Sequence, residues 1–529
     1  MSDCGQDRAS RSGDATSRTE RSTGDAQDDS RAASAGDGRG NVDDDPFGLS
    51  QWPAPTPRWH ISLPAEPGAI SAEYIAPPQL MPAVTSGAQQ ASDSDSDADS
   101  DGDAGEPALL LLSASTLGVV AVEAASGEVA WHYRELSAPG VPLVVDADTV
   151  WLSGRCFRDA ETAPTSPGRV LGCIERVDRG GQVQSRSWLQ RVAHEPNGDP
   201  DSEPGDDPPM GRRESRAVGQ LGPYLAWADG VELLAVEPAP IDDSGEVSRA
   251  AQAVSSPSSS PLARVVSRYR PAATDSDGLG VIHGWLADGR LADGRLEVGR
   301  LEVDRLKDGQ QVIIATNFAI TGYDACEQGK PCPQRWSRAY PRATGFAGPV
   351  RAPARDAGTP AAGGDRDPAA TELAWVRDQS FEIGAEGTPR WTAPGYYAHA
   401  PGSVAAYSDG SVGAWRVDGG VRPVRVTASA DDFAIREGEP APGIQVLAAA
   451  MWPTGAAAVV RLDTSLRRDA VVLWDRGAAI QWIWPLPRPT RPRAEAITMT
   501  ALPALEDGSA PSLVVFYGGN TAARLPTAP

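Results

Sequence analysis

The sequence has no run of about 18 apolar residues, the length that a helix needs to cross a bilayer, so we expect no membrane-spanning helix. Its 5 His residues stand singly, without the H-x-x-x-H or H-E-x-x-H spacing of a zinc site. A G-x-S-x-G nucleophile elbow and a Walker A motif are also missing. We therefore assign no catalytic, metal-binding or cofactor-binding residue, and we expect a protein that is not an enzyme.

Phenylalanine and methionine are scarce, with 7 and 5 residues, whereas glycine, proline and tryptophan are abundant, with 55, 47 and 15. The Val, Ile, Leu and Trp residues fall in short runs between turn residues, which predicts many short strands and no long amphipathic helices. The net charge of -23 gives a negative field that repels phosphate backbones. We therefore exclude nucleic acid as a partner.

The five cysteines leave two interpretations of the compartment open. Cys156 and Cys173 lie in consecutive apolar runs, and Cys326 and Cys332 flank a short turn, so two disulfides would suit an oxidising compartment. The alternative is free buried thiols in a cytosolic protein, because connectivity cannot be deduced from sequence. The fifth cysteine, Cys4, has no such neighbour.

Residues 1–50 form a Ser-, Asp- and Arg-rich segment that is too polar to bury a core, and we predict a disordered tail. Cys4 followed by Gly5 and a polar tether resembles the mature start of a bacterial lipoprotein, in which that cysteine carries the lipid. Residues 1–3, however, contain no charged region and no apolar region of a signal peptide. Cys4 is thus either a lipidation site in a protein whose true start lies upstream or an ordinary cysteine.

Residues 108–153 show the clearest strand pattern. The run A-L-L-L-L-S-A-S is followed by G-V-V-A-V-E, by a turn at A-S-G, by a strand ending in V-A-W, and by P-L-V-V-D-A-D. Antiparallel strands joined by glycine-containing turns form one sheet of the kind that a propeller repeats around a central axis. The segment therefore predicts one blade of a β-propeller.

The same segment resembles the tryptophan-docking repeat of pyrroloquinoline-quinone-like β-propellers, G-x-V-x-A-x-D/E-x-x-x-G-E/K-x-x-W. The matching residues are Gly118, Ala121, Glu123, Gly127 and Trp131. The resemblance implies that the tryptophan lies on the outer strand of a blade and packs against the neighbouring blade, and that the glycine makes the hairpin turn. The family that this repeat resembles includes the propellers of outer-membrane assembly lipoproteins.

A second good copy runs from Val312 to Trp336, in which Asp324 and Gly329 take the places of Glu123 and Gly127. Weaker copies share the strand rhythm and, in some cases, the terminal tryptophan. The predicted docking residues are Trp59, Trp131, Trp188, Trp336, Trp391 and Trp484.

The two ends of the folded region complement each other. Trp59 stands in an outer-strand pattern with no strands before it, and residues 510–525 supply inner strands with no tryptophan strand after them. Pairing the two completes a blade and removes free sheet edges. We therefore predict an all-β fold over residues 51–529, a single β-propeller of seven or eight four-stranded antiparallel blades that is closed by the N-terminal strand near Trp59.

Three low-complexity segments are predicted to be loops of this propeller. Segment 86–106 is acidic, and its D-x-D-x-D-G lacks the glutamate at position twelve of a calcium-binding EF-hand. Segment 238–275 is rich in Pro and Ser, and segment 285–310 repeats in fives, a period that fits neither helix nor strand. The pentad repeat is either a duplicated exposed loop or a charged arm that contacts a partner.

The resemblance implies a non-catalytic scaffold that binds protein partners in the bacterial cell envelope, in the periplasm or anchored to the outer membrane. It is a fold-level analogy. The alternatives are a cytoplasmic protein and an enzymatic or ligand-binding propeller with a site in the central channel. No quinone is expected, because the adjacent cysteines and the calcium ligands of quinoprotein dehydrogenases are missing. We expect a monomer that meets a membrane only through a lipid anchor at Cys4.

Overall fold

A computed structural model describes the following residues: 45–63, 75–84, 106–115, 117–137, 139–156, 169–191, 216–221, 224–228, 233–238, 262–269, 283–287, 311–315, 319–324, 331–339, 346–350, 372–377, 379–385, 387–400, 402–407, 409–428, 433–464, 468–487, 496–505 and 510–528. Contacts divide the chain into residues 1–46 and a compact unit, Phe47–Pro529. The predicted tail, 1–50, lies almost wholly outside the described residues.

The described part of the chain forms strands β1 to β33 and one short 3-10 helix, η1 (Leu49–Gln51). The strands of the first half are β1 (Trp59–Ser62), β2 (Gln79–Met81), β3 (Leu109–Ala114), β4 (Gly118–Glu123), β5 (Val129–Tyr133), β6 (Leu136–Ser137), β7 (Leu143–Val144), β8 (Thr149–Cys156), β9 (Arg169–Asp178), β10 (Val183–Arg191), β11 (Arg216–Leu221), β12 (Tyr224–Ala228), β13 (Leu233–Glu237), β14 (Arg264–Tyr269), β15 (His283–Ala287) and β16 (Gln311–Ala315).

The strands of the second half are β17 (Ala319–Tyr323), β18 (Gln334–Ala339), β19 (Phe346–Val350), β20 (Glu372–Arg377), β21 (Ser380–Ala385), β22 (Thr388–Pro394), β23 (Ala405–Ala406), β24 (Val412–Arg416), β25 (Arg422–Ala428), β26 (Phe433–Glu437), β27 (Gln445–Trp452), β28 (Gly455–Asp463), β29 (Arg468–Asp475), β30 (Ile480–Pro485), β31 (Ile497–Leu502), β32 (Ser512–Tyr517) and β33 (Thr521–Pro526).

These strands form eight antiparallel sheets, and seven of them take their strands in chain order. Sheet 1 is β2 to β5, sheet 2 is β6 to β10, sheet 3 is β11 to β14, sheet 4 is β15 to β18, sheet 5 is β19 to β22, sheet 6 is β23 to β26 and sheet 7 is β27 to β30. In sheet 2 the innermost position is shared by the two short strands β6 and β7, which both pair with β8.

The eighth sheet confirms the predicted closure, since its order is β1, β33, β32, β31. Trp59 lies opposite Arg524 in the register, and the Arg58 backbone N–H donates to the Arg524 carbonyl at 2.8 Å. The contact extends further along the chain, because Phe47 and Trp52 pack against the core of sheets 6 and 7. The first described segment thus contacts the last three sheets of the chain, sheets 6, 7 and 8.

The sheets follow one another around a ring. Inner strands of successive sheets contact each other, as β8 and β11, β11 and β15, β15 and β19, and β27 and β31 do. The last sheet meets the first where Thr498 and Thr500 donate to the carbonyls of Ala76 and Pro78, both at 3.2 Å. The protein is therefore an eight-bladed β-propeller, which settles the blade number that the sequence left at seven or eight.

The middle strands are largely apolar because each blade lies between two others. Every residue of β3, LLLLSA, and of β32, SLVVFY, is buried. A strand that is covered on both faces shows a continuous apolar run, whereas one that is covered on a single face alternates. The exposed outer strands, such as β22 with its TPRWTAP sequence, bury only alternate residues.

The structure shortens two predicted loops. Residues Arg264–Tyr269 form β14, within the segment 238–275 that we expected to be a loop, because their apolar residues complete sheet 3. Strand β15, His283–Ala287, takes the first residues of the pentad segment 285–310. The rest of that segment and most of the acidic segment 86–106 lie outside the described residues.

Candidate functional site

Trp59 and Trp131 pack against the hairpin turn of the next sheet. The Trp59 indole N–H donates to the Ala124 carbonyl at 3.1 Å, and the Trp131 indole N–H donates to the Arg179 carbonyl at 2.8 Å. Each ring lies on a turn glycine in the left-handed region, Gly127 (φ 78°) beneath Trp59 and Gly181 (φ 83°) beneath Trp131. A Cβ on either glycine would lie within 3 Å of the ring, so the glycine makes room for the indole.

Trp336 likewise lies on a turn glycine of the next sheet, Gly387 (φ 68°) between β21 and β22. The other predicted docking residues take different positions, and Trp391 is buried in the core that sheets 5 and 6 share. Trp188 is buried three residues beyond Ser185, the residue of β10 that corresponds in register to Trp131, and its carbonyl accepts from the Ala263 N–H at 2.8 Å. Trp484 packs edge-on against His60 of sheet 8.

Cys173 and Cys332 are both disulfide-bonded. The side chains of their predicted partners, Cys156 and Cys326, lie outside the described residues, as Cys4 does. The pairing of Cys156 with Cys173 and of Cys326 with Cys332, and the lipidation of Cys4, therefore stay predictions.

The hairpin turn of sheet 7 has the same hydrogen bonds as the turn of sheet 2. We name residues 178–182 the sheet 2 turn and residues 475–479 the sheet 7 turn. Asp178 accepts from Gln182 N at 2.8 Å and from the Gln184 amide at 2.6 Å. Asp475 accepts from Ala479 N at 2.9 Å and from the Gln481 amide at 3.0 Å. The two sequences, D-R-G-G-Q-V-Q and D-R-G-A-A-I-Q, explain the match.

Among the described residues, no tryptophan docks on the sheet 7 turn. Gly438, just after β26, lies against Ala478, which holds φ at 63°, and the Glu439 N–H donates to the Ala478 carbonyl at 2.8 Å. A glycine–alanine contact thus replaces the tryptophan–glycine contact of sheets 1 and 2. Trp474 fills the core beneath it and donates to the Glu439 carbonyl at 2.8 Å.

A cleft of about 540 Å³ lies beside this contact, between sheets 6 and 7. We name it the 6–7 cleft. Its walls come from the β25–β26 hairpin, from the β23–β24 and β27–β28 turns, and from the sheet 7 turn. The side chains that determine its chemistry are Arg425, Ile435, Arg436, Met451, Trp452 and Arg476.

One side of the 6–7 cleft is fixed by a hydrogen-bonded cluster. Arg425 donates to Asp409 and to Ser411 Oγ, both at 2.7 Å, and its guanidinium lies 4.3 Å from the centre of the Tyr407 ring. Burial raises the pKa of Asp409, but the hydrogen bonds from Ser411 and the charge of Arg425 outweigh it, so the pKa of Asp409 is lowered. The Arg425–Asp409 pair is therefore charged at neutral pH.

The opposite side carries two arginines without such partners. Arg436 on β26 and Arg476 in the sheet 7 turn are exposed, and neither forms an ion pair with a described residue. The corresponding residue of the sheet 2 turn, Arg179, is 8% exposed and donates to the carbonyls of Pro82 at 2.8 Å and Ala147 at 2.6 Å. Arg436 and Arg476 are thus available to an incoming anion.

Strand β26 is the outer edge of sheet 6, and four of its five residues are exposed. Ile435 at its centre is 37% exposed and lines the 6–7 cleft. An edge strand presents unpaired backbone groups to which an extended segment can add. The unpaired backbone edge of β26, the Ile435 side chain and the two exposed arginines therefore lie next to one another.

A second cluster, between sheets 1 and 2, is closed. Glu175 is fully buried, accepts from Tyr133 and from Arg186 Nε at 2.6 Å, and its pKa is raised by burial against the opposing effect of these two partners. Burial likewise raises the pKa of the Tyr133 hydroxyl. Because every polar group of the trio is bonded within the protein, we assign it to cohesion between the two sheets.

The described residues contain no group of three His, Cys, Asp or Glu side chains that could hold a metal ion. Within the same residues, none of the helices is long and apolar enough to cross a membrane. The sequence assigned no residue to the 6–7 cleft. The repeated D-R-G motif, followed by Gly in one copy and Ala in the other, was the signal that could have pointed to it.

Neither a protein-family model nor a curated protein matches this chain. Solved structures that are similar to it are β-propellers. BamB from Moraxella catarrhalis has a TM-score of 0.39 and 11% identity, covering 88% of this chain and 100% of its own. The WD40 β-propeller domain of Doa1 has a TM-score of 0.33 and 11% identity over 74% of this chain and 96% of its own. The periplasmic gluconolactonase of Pseudomonas aeruginosa has a TM-score of 0.31 and 13% identity over 70% and 92%.

Proposed function

We propose that this propeller is a non-catalytic scaffold that binds other proteins in the bacterial cell envelope. The observation that carries the proposal is the exposed edge strand β26 beside the 6–7 cleft. Apolar surface that is rimmed by polar groups is typical of a site for protein association. The resemblance of residues 118–131 to the pyrroloquinoline-quinone-like repeat supports membership of that group and a place in the envelope.

Site-specific photo-cross-linking in intact cells tests the proposal. A photoreactive residue at Ile435 should give discrete cross-linked adducts that contain a second protein. The matched control is Val129, which is 50% exposed on the outer strand β5 and does not line the 6–7 cleft. Adducts at Val129 equal to those at Ile435, or none at either position, would contradict a binding role for the cleft.

The compartment has its own test. In fractionated cells the protein should follow the periplasm or the outer membrane, and electrophoresis without reductant should show faster migration than with reductant because of its disulfides. Labelling with a radioactive fatty acid should be lost in Cys4→Ser if Cys4 is the lipid anchor. Recovery in the cytosol would overturn the envelope assignment and leave the fold unaffected.

A further inference from the structure

The 6–7 cleft combines three features that restrict its occupant. Its apolar wall contains Ile435, Met451 and Trp452, and its volume of about 540 Å³ is that of a site for a large side chain and its neighbours. At other boundaries between sheets, the docking tryptophans of this protein fill the corresponding space. The Ala478 methyl group and Gly438 stand where such a tryptophan would lie, so the chain leaves the adjoining space open.

The charge at the rim is opposite to that of the protein as a whole. The chain has a net charge of -23, yet three arginines and two aspartates line this cleft. Asp409 pairs with Arg425 and Asp475 caps the sheet 7 turn, whereas Arg436 and Arg476 form no ion pair with any described residue. Arginine binds carboxylates through two parallel N–H groups and stacks on aromatic rings. A partner that carries carboxylates is repelled by most of this surface and attracted here, which confines it to one site.

The backbone of β26 determines how a polypeptide would lie. The strand is extended over Phe433–Glu437 and has no neighbour on its outer side among the described residues. Ile435 and Arg436 are consecutive residues of β26, so their side chains lie on opposite faces of the strand. A paired segment that alternates aromatic with acidic residues therefore places its aromatic side chains on the face of Ile435 and its carboxylates on the face of Arg436.

We infer that the 6–7 cleft binds an extended acidic segment of a partner protein that presents an aromatic side chain to Ile435, Met451 and Trp452 and carboxylates to Arg436 and Arg476. This inference rests on the proposed scaffold function and specifies the chemistry of the partner.

Fluorescence polarisation with the full-length protein tests it directly. The probe is a labelled synthetic peptide in which aspartate alternates with phenylalanine and tryptophan, and a second peptide replaces each aspartate with lysine. The aspartate peptide should bind, and its affinity should fall as salt rises. The lysine peptide should not bind detectably at ~1 mM.

A charge reversal in the protein sharpens the test. R436E/R476E should weaken the aspartate peptide on the order of 100-fold and should gain binding of the lysine peptide, because the repulsion changes sign. The matched control is R335E/R390E, which reverses two exposed arginines on the outer strands β18 and β22 and should leave both affinities unchanged. Circular dichroism melting of each variant verifies folding.

The inference is overturned if the aspartate peptide fails to bind wild type, if the two peptides bind equally, or if R436E/R476E binds as wild type does. If the peptide binds only when the aspartates of residues 93–103 are replaced by asparagine, the chain's own acidic segment is the occupant. Cross-links at Ile435 without peptide binding would leave the scaffold function standing and reject only the acidic class of partner.

Discussion

The same type of turn lies at two boundaries of the propeller. The boundary between sheets 1 and 2 is closed, and the boundary between sheets 6 and 7 is open. The sheet 2 turn and the sheet 7 turn have matching backbone and aspartate hydrogen bonds. On the first lies the indole of Trp131, and on the second lies only Gly438. The arginine of the first turn is buried in carbonyl contacts, and that of the second faces solvent.

The difference shows that the turn and its docking aromatic side chain are separable. Capping of the turn by aspartate depends on residues within seven positions of each other, so it survives when the aromatic partner is missing. Filling the boundary depends on the outer strand of the preceding sheet. Between sheets 1 and 2 that strand places Trp131 on the turn, whereas the aromatic residue of β26, Phe433, packs against the core of sheets 5 and 6, and an accessible cleft remains.

The largest effect should come from removing a docking tryptophan. Trp59→Ala should lower the free energy of unfolding by about 3–5 kcal/mol and the melting temperature by several degrees, because a buried ring and its hydrogen bond to Ala124 are lost. Ile435→Ala, at the open boundary, should cost less than about 1 kcal/mol because that side chain is partly exposed. Thermal melts that rank the two variants in the reverse order would refute the comparison.

The second-largest difference in stability should be between variants of the two turn arginines, Arg179 and Arg476. Arg179→Ala should cost about 2–3 kcal/mol, because three carbonyl acceptors, those of Pro82, Pro107 and Ala147, lose a charged donor. Arg476→Ala should change stability by less than about 0.5 kcal/mol. Urea unfolding of both variants measures this, and equal costs would mean that Arg476 has a structural role.

Substitutions at the left-handed residues of the two turns, Gly181 and Ala478, should change stability in opposite directions. Gly181→Ala should destabilise by about 1–2 kcal/mol, because φ is 83° and the new Cβ would lie 2.7 Å from Trp131 Cγ. Ala478→Gly should stabilise by about 0.5–1 kcal/mol, because it relieves a φ of 63° at a residue with a Cβ. Two changes of the same sign would show that the turns are not equivalent.

The smallest effect concerns pH. Because the folded-state pKa of Asp409 is lowered, its contribution to stability is present above the unfolded-state value of about 3.9 and is lost as pH falls through the folded value. Asp409 is 59% exposed, so the contribution should stay below about 1 kcal/mol. In Asp409→Asn the unfolding free energy, followed from neutral to acid pH, should fall less steeply. Identical slopes would show that the Arg425–Asp409 pair does not contribute to stability.

Much of the fold was predictable because its signals are local. The strands β3, β4 and β5 follow the pattern of apolar runs and the glycine turn in residues 108–131, and the unpaired Trp59 strand predicted the closure. Strand β14 was missed because six residues between Pro- and Ser-rich stretches give little periodicity. The candidate site was missed entirely, since its signal is the absence of a tryptophan.

The sequence by itself determined the strand rhythm, the aspartate-capped turns and the pairing of the two chain ends, because each depends on neighbouring residues or on a complementary missing strand. The tertiary structure alone decided that there are eight blades, that Trp188 lies away from the docking position, and that Asp409, Arg436 and Arg476 line one cleft. Asp409 and Arg436 lie on sheet 6 and Arg476 lies on sheet 7, so the distance across the cleft is fixed by how the two blades pack against each other.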